Sequence, residues 1–148
     1  MKIKAYIFDI DGTIADGRHR QQYVRTKPKN WKAYNAAMHG DSPIQPVIYT
    51  LGLIHSTGHA VILSSGRQDK DRGVTEAWMK KHNVPFTELY MRKTNDFRDD
   101  TIVKKEMLQE IQQKYDIIAV FDDRVKVINM WREQGLYVFE TNRTREDF

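Results

Sequence analysis

The sequence predicts an α/β fold, a three-layer sandwich in which a central parallel sheet of about five strands lies between helices. Short apolar runs rich in β-branched and aromatic residues alternate with segments of helical period, as they do in successive βαβ units. The chain has 148 residues, of which 40% are hydrophobic and 30% charged. This composition suits one soluble domain with a sizeable core, so we expect a single domain over residues 1–148.

Five segments have the composition of strands. The first and the fourth are nearly continuous apolar runs, as expected for central strands that are covered on both faces. The predicted strands are Ile3 to Ile10, Ala60 to Ser64, Glu88 to Met91, Ile117 to Phe121 and Leu136 to Glu140.

Four helices are predicted between these strands, and most have recognisable ends. A proline begins the first, and Gly58 is placed to end it. In the third, apolar residues recur every four positions from Val103 to Tyr115, and Asp99 or Asp100 could cap its start. The predicted helices span about Pro46 to Ser56, Gly73 to Lys81, the segment from Asp99 or Asp100 through Tyr115, and Val125 to Gln134.

Composition excludes several classes of protein. The chain has no cysteine, which excludes disulfides, thiolate nucleophiles, zinc-cysteine sites and iron-sulfur clusters. Any metal must therefore be a hard ion held by oxygen, or be bound by histidine. The apolar runs are far shorter than the roughly 20 residues a bilayer requires, and no signal region is visible, so we expect a cytoplasmic protein without membrane contact. A net charge of +4 mildly favours anionic partners.

A basic insertion rich in aromatic residues is predicted at about residues 17–40, between the first strand and the first sheet helix. From Asp16 to Asp41 the chain carries six Lys or Arg against two Asp. Trp31, Tyr34 and Met38 could line one face of a short helix there. Such a segment could follow a nucleic-acid strand and stack its bases. A solvated basic face with aromatic residues in the core explains the same composition equally well. The basic residues are Arg18, Arg20, Arg25, Lys27, Lys29 and Lys32.

Two carboxylates, Asp9 and Asp11, stand at the carboxyl end of the first predicted strand, where open parallel sheets place their ligands. Residues two apart on a strand share a face, so these carboxylates would repel each other unless a divalent cation or a shared proton intervened. The spacing of glycine and acidic residues does not fit a calcium loop. It does not fit a P-loop either, since Arg18 and His19 replace the Lys and Ser or Thr that a P-loop needs. Two Asp capping a turn are the structural alternative.

Three further polar groups fall at the same predicted edge. Ser65, Gly66 and Arg67 follow the second strand and offer a hydroxyl, backbone amides and a guanidinium to a phosphate oxygen. Lys104 lies in the first turn of a helix, where the dipole disfavours a cation by up to about 1 kcal/mol, so a neighbouring anion would explain it. Asp122 and Asp123 follow the fourth strand. Each alone also fits a turn, a solvated lysine or a helix cap, but their convergence on one edge favours a site.

In order, the four motifs resemble those of the haloacid dehalogenase (HAD) superfamily of phosphotransferases. The matching residues are Asp9-Ile10-Asp11-Gly12-Thr13, Ser65, Lys104 and Asp122-Asp123. Ser65-Gly66-Arg67, Arg98-Asp99-Asp100 and the stretch from Phe121 to Val127 are further similar to the 3′-phosphatase domain of phage-type polynucleotide kinase/phosphatase. The resemblance covers essentially the whole chain. It implies a Rossmann-like, HAD-like fold. Enzymes of this superfamily often carry a cap domain, but 148 residues leave no room for a large one, so we expect an open site.

The resemblance also implies roles for particular residues. Asp9 is the expected nucleophile, and Asp11 is expected to protonate the leaving oxygen and then activate water. Ser65 and Lys104 complete the implied catalytic set by holding phosphate oxygens and offsetting charge. The implied ligands of Mg²⁺ are Asp9, the Asp11 backbone carbonyl, and Asp122 or Asp123. The implied substrate-binding residues are Thr13, Arg18 or Arg20, Gly66, Arg67 and Asp100.

The function implied by the resemblance is removal of 3′-phosphate from nucleic-acid ends, beside a separate kinase or ligase partner whose identity the sequence does not give. One alternative is a phosphatase of free nucleotides or other small phosphoesters. Another is a non-catalytic module that binds phosphorylated nucleic-acid ends. The pair of Asp9 and Asp11 argues against the second alternative, because a pure binder gains little from two adjacent negative charges.

Overall fold

The computed structural model describes residues 1–142 and contains one five-stranded parallel sheet, which confirms the predicted fold class. The strands are β1 (Ile3–Phe8), β2 (Ala15–Asp16), β3 (Ser42–Pro43), β4 (Ala60–Gln68), β5 (Glu88–Arg92), β6 (Tyr115–Asp122) and β7 (Val138–Glu140). The sheet has the order β5-β4-β1-β6-β7, and β2 and β3 form a separate antiparallel pair. The helices are α1 (Gln22–Arg25), α2 (Trp31–Ala36), α3 (Gln45–Ser56), α4 (Arg72–Lys81), α5 (Asp100–Lys114) and α6 (Val125–Glu133).

The hydrophobic core consists of two layers, one on each face of the sheet. On β1, Ala5 and Ile7 pack under α5 and α6, whereas Phe8 packs under α3 and α4. This division follows from the alternation of side chains along a strand. The central strand is thus buried on both faces, as its continuous apolar sequence predicts. Within residues 1–142, no helix has the length and apolar character that a bilayer crossing requires.

Several predicted boundaries are wrong in ways that affect the site. β1 ends at Phe8 rather than Ile10, because the chain turns and the Ile10 carbonyl accepts from the amides of residues 13–15. β4 continues past Ser64 to Gln68, so Ser65 to Arg67 lie at an irregular end of the strand instead of in a turn after it. β7 begins at Val138, two residues later than predicted.

The third predicted helix begins as expected and ends one residue early. Asp99 rather than Asp100 is the N-cap, and its side chain accepts from the Thr101 amide. Tyr115 is extended and opens β6, although it continues the apolar spacing of α5. Tyr115 pairs with Ile3 of β1, and its hydroxyl donates to Glu88 Oε2 of β5 over 2.6 Å, so tertiary contacts outweigh helical spacing at this position.

The basic insertion forms short helices and turns beside the sheet. α2 confirms a short helix at Trp31, but the predicted common face of Trp31, Tyr34 and Met38 is wrong. The helix ends at Ala36, so Met38 falls in the 3₁₀ turn Met38–Gly40 and is buried, whereas Trp31 is 55% exposed.

Candidate active site

The carboxyl ends of the three central strands bring the predicted polar residues to one edge. Asp9 directly follows β1, and its amide donates to the Phe121 carbonyl of the neighbouring β6 over 2.9 Å. Ser65 and Arg67 lie at the end of β4 on the other side, and Asp122 ends β6. α5 adds Lys104 from the sheet face that it covers.

Asp9, Asp122 and Asp123 form what we call the acidic cluster. All three are buried, and one oxygen from each lies within 4.8 Å of the others. The approach depends on Gly12, whose φ is +84° and where a Cβ would lie 1.9 Å from Asp123 Oδ2. Any side chain at Gly12 would therefore displace Asp123 as well as strain the turn.

Lys104 provides the positive charge of this cluster. Its Nζ donates to Asp9 Oδ1 over 2.7 Å and to Asp122 Oδ2 over 3.4 Å, and the residue is 3% exposed. Burial alone would lower the Lys104 pKa, but Asp122 and Asp9 outweigh it and raise that pKa. The anion expected near Lys104 is present. Lys104 is however the fifth residue of α5, past the first turn in which it was predicted.

Negative charge exceeds positive charge in the acidic cluster. Burial and the neighbouring Asp122 raise the pKa of Asp9 well above its usual range, and Lys104 only partly opposes them. Burial is also the largest cause that raises the pKa of Asp123 to about 6. Three buried carboxylates with one ammonium form a hard oxygen donor set of the kind that Mg²⁺ prefers, so the residues fit this ion.

Asp11 belongs to a different group, the arginine cluster, which consists of Asp11, Arg20, Asp41 and Arg67. Arg67 donates to both oxygens of Asp11, from Nε over 3.0 Å and from Nη2 over 2.7 Å. Arg20 donates to both oxygens of Asp41, over 2.7 and 2.8 Å, and to Asp11 Oδ1 over 3.0 Å. Arg67 Nη2 closes the network on Asp41 Oδ2 over 3.1 Å.

This geometry corrects the prediction that Asp9 and Asp11 share a face. Because β1 ends at Phe8, the two carboxylates point into separate clusters, and the Asp11 carboxylate is not part of the acidic cluster. Burial alone would raise the Asp11 pKa, but the guanidiniums of Arg67 and Arg20 outweigh it and lower that pKa. In the arginine cluster Asp11 is therefore an anion.

The structure also distinguishes Arg18 from Arg20, between which the sequence does not decide. Arg20 is 1% exposed and lies in the arginine cluster. The Arg18 side chain is 72% exposed and pairs with Asp16. Arg20 Nη1 is buried and has no hydrogen-bond partner among the residues that the structure describes.

The remaining predicted residues line the edge beside these clusters. Thr13 Oγ1 donates to Asp9 Oδ2 over 3.3 Å, and Ser65 Oγ accepts from the Arg67 amide over 3.1 Å. A Cβ on Gly66 would lie 2.7 Å from Asp100 Oδ1, so glycine permits the close approach of that carboxylate. Asp100 is itself bound by the guanidiniums of Arg92 and Arg124.

Sequence reasoning missed Asp41 and Arg92. Asp41 is 2% exposed and holds both arginines of the arginine cluster, yet in the sequence it only marks the end of a basic segment. Arg92 donates to the Gly66 carbonyl over 2.8 Å as well as to Asp100, and thereby ties β4 to the start of α5. Its position at the end of that segment is the one signal that the sequence offers for Asp41.

The fold and this site define a phosphoester hydrolase of the haloacid dehalogenase type. The fold alone is shared with the class C acid phosphatase of Bacillus anthracis, at a TM-score of 0.72 and 16% identity over 95% of this chain and 67% of that one. The sequence profile of the family described as the polynucleotide kinase PNKP phosphatase domain matches residues 3–148. The chain belongs to this family.

Two relatives place the domain in larger proteins. A chain in the structure of the Pnkp1/Rnl/Hen1 complex has a TM-score of 0.83 and is 37% identical, with 94% of this chain and 46% of that chain covered. A bifunctional polynucleotide kinase/RNA ligase of Autographa californica nuclear polyhedrosis virus is 26% identical over 132 residues, which are 88% of this chain and 18% of that protein. The chain therefore spans less than half of either relative.

Proposed function

We propose that this chain is a magnesium-dependent phosphomonoesterase that removes 3′-phosphate from nucleic-acid ends through an aspartyl-phosphate on Asp9. The observation that carries the proposal is the position of Asp9, a buried carboxylate at the end of the central strand with Lys104 on one side and the Asp11–Arg67 pair at the same edge. Membership of the polynucleotide kinase phosphatase family supports the nucleic-acid substrate.

In this proposal Asp9 is the nucleophile. Lys104 and Thr13 hold its two oxygens, and the β6 carbonyl of Phe121 fixes its backbone. In the first step a bond forms between an Asp9 oxygen and phosphorus while the bond from phosphorus to the 3′-oxygen breaks. Lys104 and the Ser65 hydroxyl then lie where they can offset charge on the phosphoryl oxygens.

Asp11 carries the proton in both steps. It protonates the departing 3′-oxygen, and it later takes a proton from the water that attacks phosphorus and releases inorganic phosphate from Asp9. The first role needs a protonated Asp11, which Arg67 and Arg20 oppose as they are now placed. A phosphate dianion that draws either guanidinium toward itself would remove that opposition.

The acidic cluster would hold Mg²⁺ through the carboxylates of Asp9, Asp122 and Asp123 together with the Asp11 carbonyl. When bound, this ion supplies the positive charge that lets a phosphate dianion approach three carboxylates. Hydrogen bonds within the protein orient the Asp122 carboxylate, which accepts from Trp131 Nε1 over 3.0 Å and from the Asp123 amide over 2.8 Å.

The relatives also support a partner. In both of them the matching region is one part of a longer protein, and their names refer to polynucleotide kinase, RNA ligase or a Pnkp1/Rnl/Hen1 complex. We infer that this chain works beside a kinase or ligase that processes the same ends.

Phosphate release tests the proposal. The substrates are a 3′-phosphorylated oligonucleotide, its 5′-phosphorylated isomer and a 3′-mononucleotide, each with Mg²⁺ and after EDTA. We expect Mg²⁺-dependent release from the 3′-phosphorylated oligonucleotide in preference to the other two. Asp9→Asn should reduce this rate by at least about a thousandfold, since loss of a nucleophile has effects of that order or larger. Asp116→Asn changes an exposed carboxylate on β6 and serves as the matched control.

Each contrary result identifies a different error. Equal or faster turnover of the mononucleotide would make the chain a phosphatase of small phosphoesters. Substantial activity in Asp9→Asn would remove Asp9 as nucleophile. Tight binding of the oligonucleotide without release would favour the non-catalytic binding module.

A further inference from the structure

A cleft of about 530 Å³ runs between α2 and the start of α4. It borders the arginine cluster through α4, because Thr75 Oγ1 donates to the Asp71 carbonyl over 2.8 Å and accepts from Arg67 Nη1 over 3.1 Å. The lining residues that matter here are Trp31, Lys32, Asn35, Lys70, Asp71 and Val74.

Trp31 presents an exposed indole to this cleft. It is 55% exposed, whereas Trp78 and Trp131 are 3% and 0% exposed. Its ring packs edge-on against Tyr34, with centroids 5.5 Å apart and planes at 82°. The Tyr34 ring in turn lies 4.5 Å from the Arg20 guanidinium carbon. A continuous row of contacts therefore joins Trp31 to the arginine cluster.

Three lysines lie near the indole, and one of them stands over its ring. Lys29 Nζ lies 5.8 Å from the Trp31 ring centroid, and Lys32 and Lys70 line the cleft. None of these three lysines forms an ion pair within residues 1–142, where the ion pairs of Asp69 and Asp16 are instead made to Arg72 and Arg18. Asp71 is the one acidic residue among those lining the cleft.

We propose that this cleft binds a nucleobase near the 3′ end of the substrate strand, stacked on Trp31, while Lys29, Lys32 and Lys70 contact the phosphodiester backbone. The inference rests on the proposed function and explains how the enzyme distinguishes a nucleic-acid strand from a small phosphoester. An exposed indole bordered by unpaired lysines is the combination with which proteins bind single strands, by base stacking and backbone charge. Tyr34 keeps the indole in place before the strand arrives.

Fluorescence provides a test that needs no turnover. Trp31 is the exposed member of the three tryptophans, so binding of a 3′-phosphorylated oligonucleotide to Asp9→Asn should quench part of the emission. The same titration with Trp31→Phe added should lose this change, while Trp78 and Trp131 still report the folded core. An undiminished quench in the double variant would overturn the inference.

Kinetics test the role of stacking. Trp31→Ala should lower the ratio of kcat/KM for the 3′-phosphorylated oligonucleotide to that for p-nitrophenyl phosphate by about 5- to 150-fold, the range that base–aromatic stacking spans. Trp31→Phe should recover most of this ratio. Tyr137→Ala removes a comparably exposed aromatic residue that lies outside the cleft and should leave the ratio at the wild-type value.

Abasic substrates locate the stacked base. One abasic position among the last three nucleotides should bring the wild type and Trp31→Ala to the same rate. The inference would be overturned by a Trp31→Ala effect that persists on all three abasic substrates. It would also be overturned if Trp31→Ala had the same ratio of kcat/KM values as Tyr137→Ala. If the wild type hydrolyses p-nitrophenyl phosphate but no 3′-phosphorylated oligonucleotide, the proposed function fails instead, and the fluorescence titration decides the inference separately.

Discussion

Two clusters at one sheet edge contain the same kind of carboxylate and give it opposite properties. In the acidic cluster, three carboxylates share one ammonium, and the pKa values of Asp9 and Asp123 are raised. In the arginine cluster, two carboxylates meet two guanidiniums, and the pKa of Asp11 is lowered. Folding alone balances the charges of the arginine cluster and leaves the acidic cluster with negative charge that a cation can satisfy.

The same sheet edge thus holds one rigid ion-pair network and one group of carboxylates with unbalanced charge. The arginine cluster is made of bidentate guanidinium–carboxylate pairs, which fix orientation as well as charge. It therefore positions Asp11 beside the acidic cluster, whose negative charge is only partly compensated by Lys104. Substitutions in the two clusters should therefore affect different properties of the protein. Three experiments distinguish these effects.

Asp41→Asn should have the largest effect, because it unbalances the cluster that folding satisfies. It leaves Arg20 and Arg67 buried with one carboxylate between them, and breaking a buried ion pair from one side costs about 3–5 kcal/mol. We expect the free energy of unfolding to fall by about 3 kcal/mol and Tm to fall by roughly 10 °C. Urea and thermal unfolding measure both.

The exposed Asp116→Asn should change the free energy of unfolding by less than about 0.5 kcal/mol and serves as the control. An Asp41→Asn protein as stable as that control would mean that the arginine cluster is not a structural unit.

Asp11→Asn should have the next largest effect, on chemistry. The variant cannot donate a proton, so hydrolysis of a 3′-phosphorylated oligonucleotide should slow about a hundredfold more than that of p-nitrophenyl phosphate, whose leaving group needs no proton. The ratio of the two kcat values is the measurement, because misplacement of Arg67 or Arg20 would slow both substrates alike. Equal losses would leave Asp11 with only its structural role in the arginine cluster.

Asp123→Asn should have the smallest effect and the opposite sign. The folded pKa of Asp123 is about 6, above its usual 3.8, so the folded state holds more protons than the unfolded state between these values. Stability therefore falls as pH rises through this window, and the variant removes the loss. In EDTA at pH 7 we expect Asp123→Asn to be about 1–2 kcal/mol more stable than the wild type, with a smaller gain at pH 4.5.

Thermal unfolding with and without Mg²⁺ completes this test. Mg²⁺ should raise the Tm of the wild type and raise that of Asp123→Asn much less, since the variant has lost one carboxylate of the acidic cluster. A variant less stable than the wild type in EDTA at pH 7 would show that the acidic cluster is balanced without a cation.

Sequence patterns alone were enough to locate the five strands of the parallel sheet and the edge at which the polar residues meet. Apolar runs, helical spacing and turn residues act over a few neighbouring positions, so β1 and β6 could be located from them and the cap of α5 could be narrowed to Asp99 or Asp100. Three of the four motifs fell at strand ends and Lys104 fell near a helix start, and parallel strands necessarily present their carboxyl ends together. The resemblance to a phosphatase family followed from these local signals and is confirmed by the family match.

Which of these side chains contact one another depends on the folded chain as a whole. Lys104 and Asp9 are 95 residues apart in the chain, Arg67 and Asp11 are 56 apart, and Arg20 and Asp41 are 21 apart. Asp9 and Asp11 point into separate clusters because β1 ends at Phe8. Arg20 rather than Arg18 joins the arginine cluster, and Asp41 binds both of its arginines, because of how the insertion folds back. Local periodicity carries no information about such contacts, because they are set by the packing of whole elements against one another.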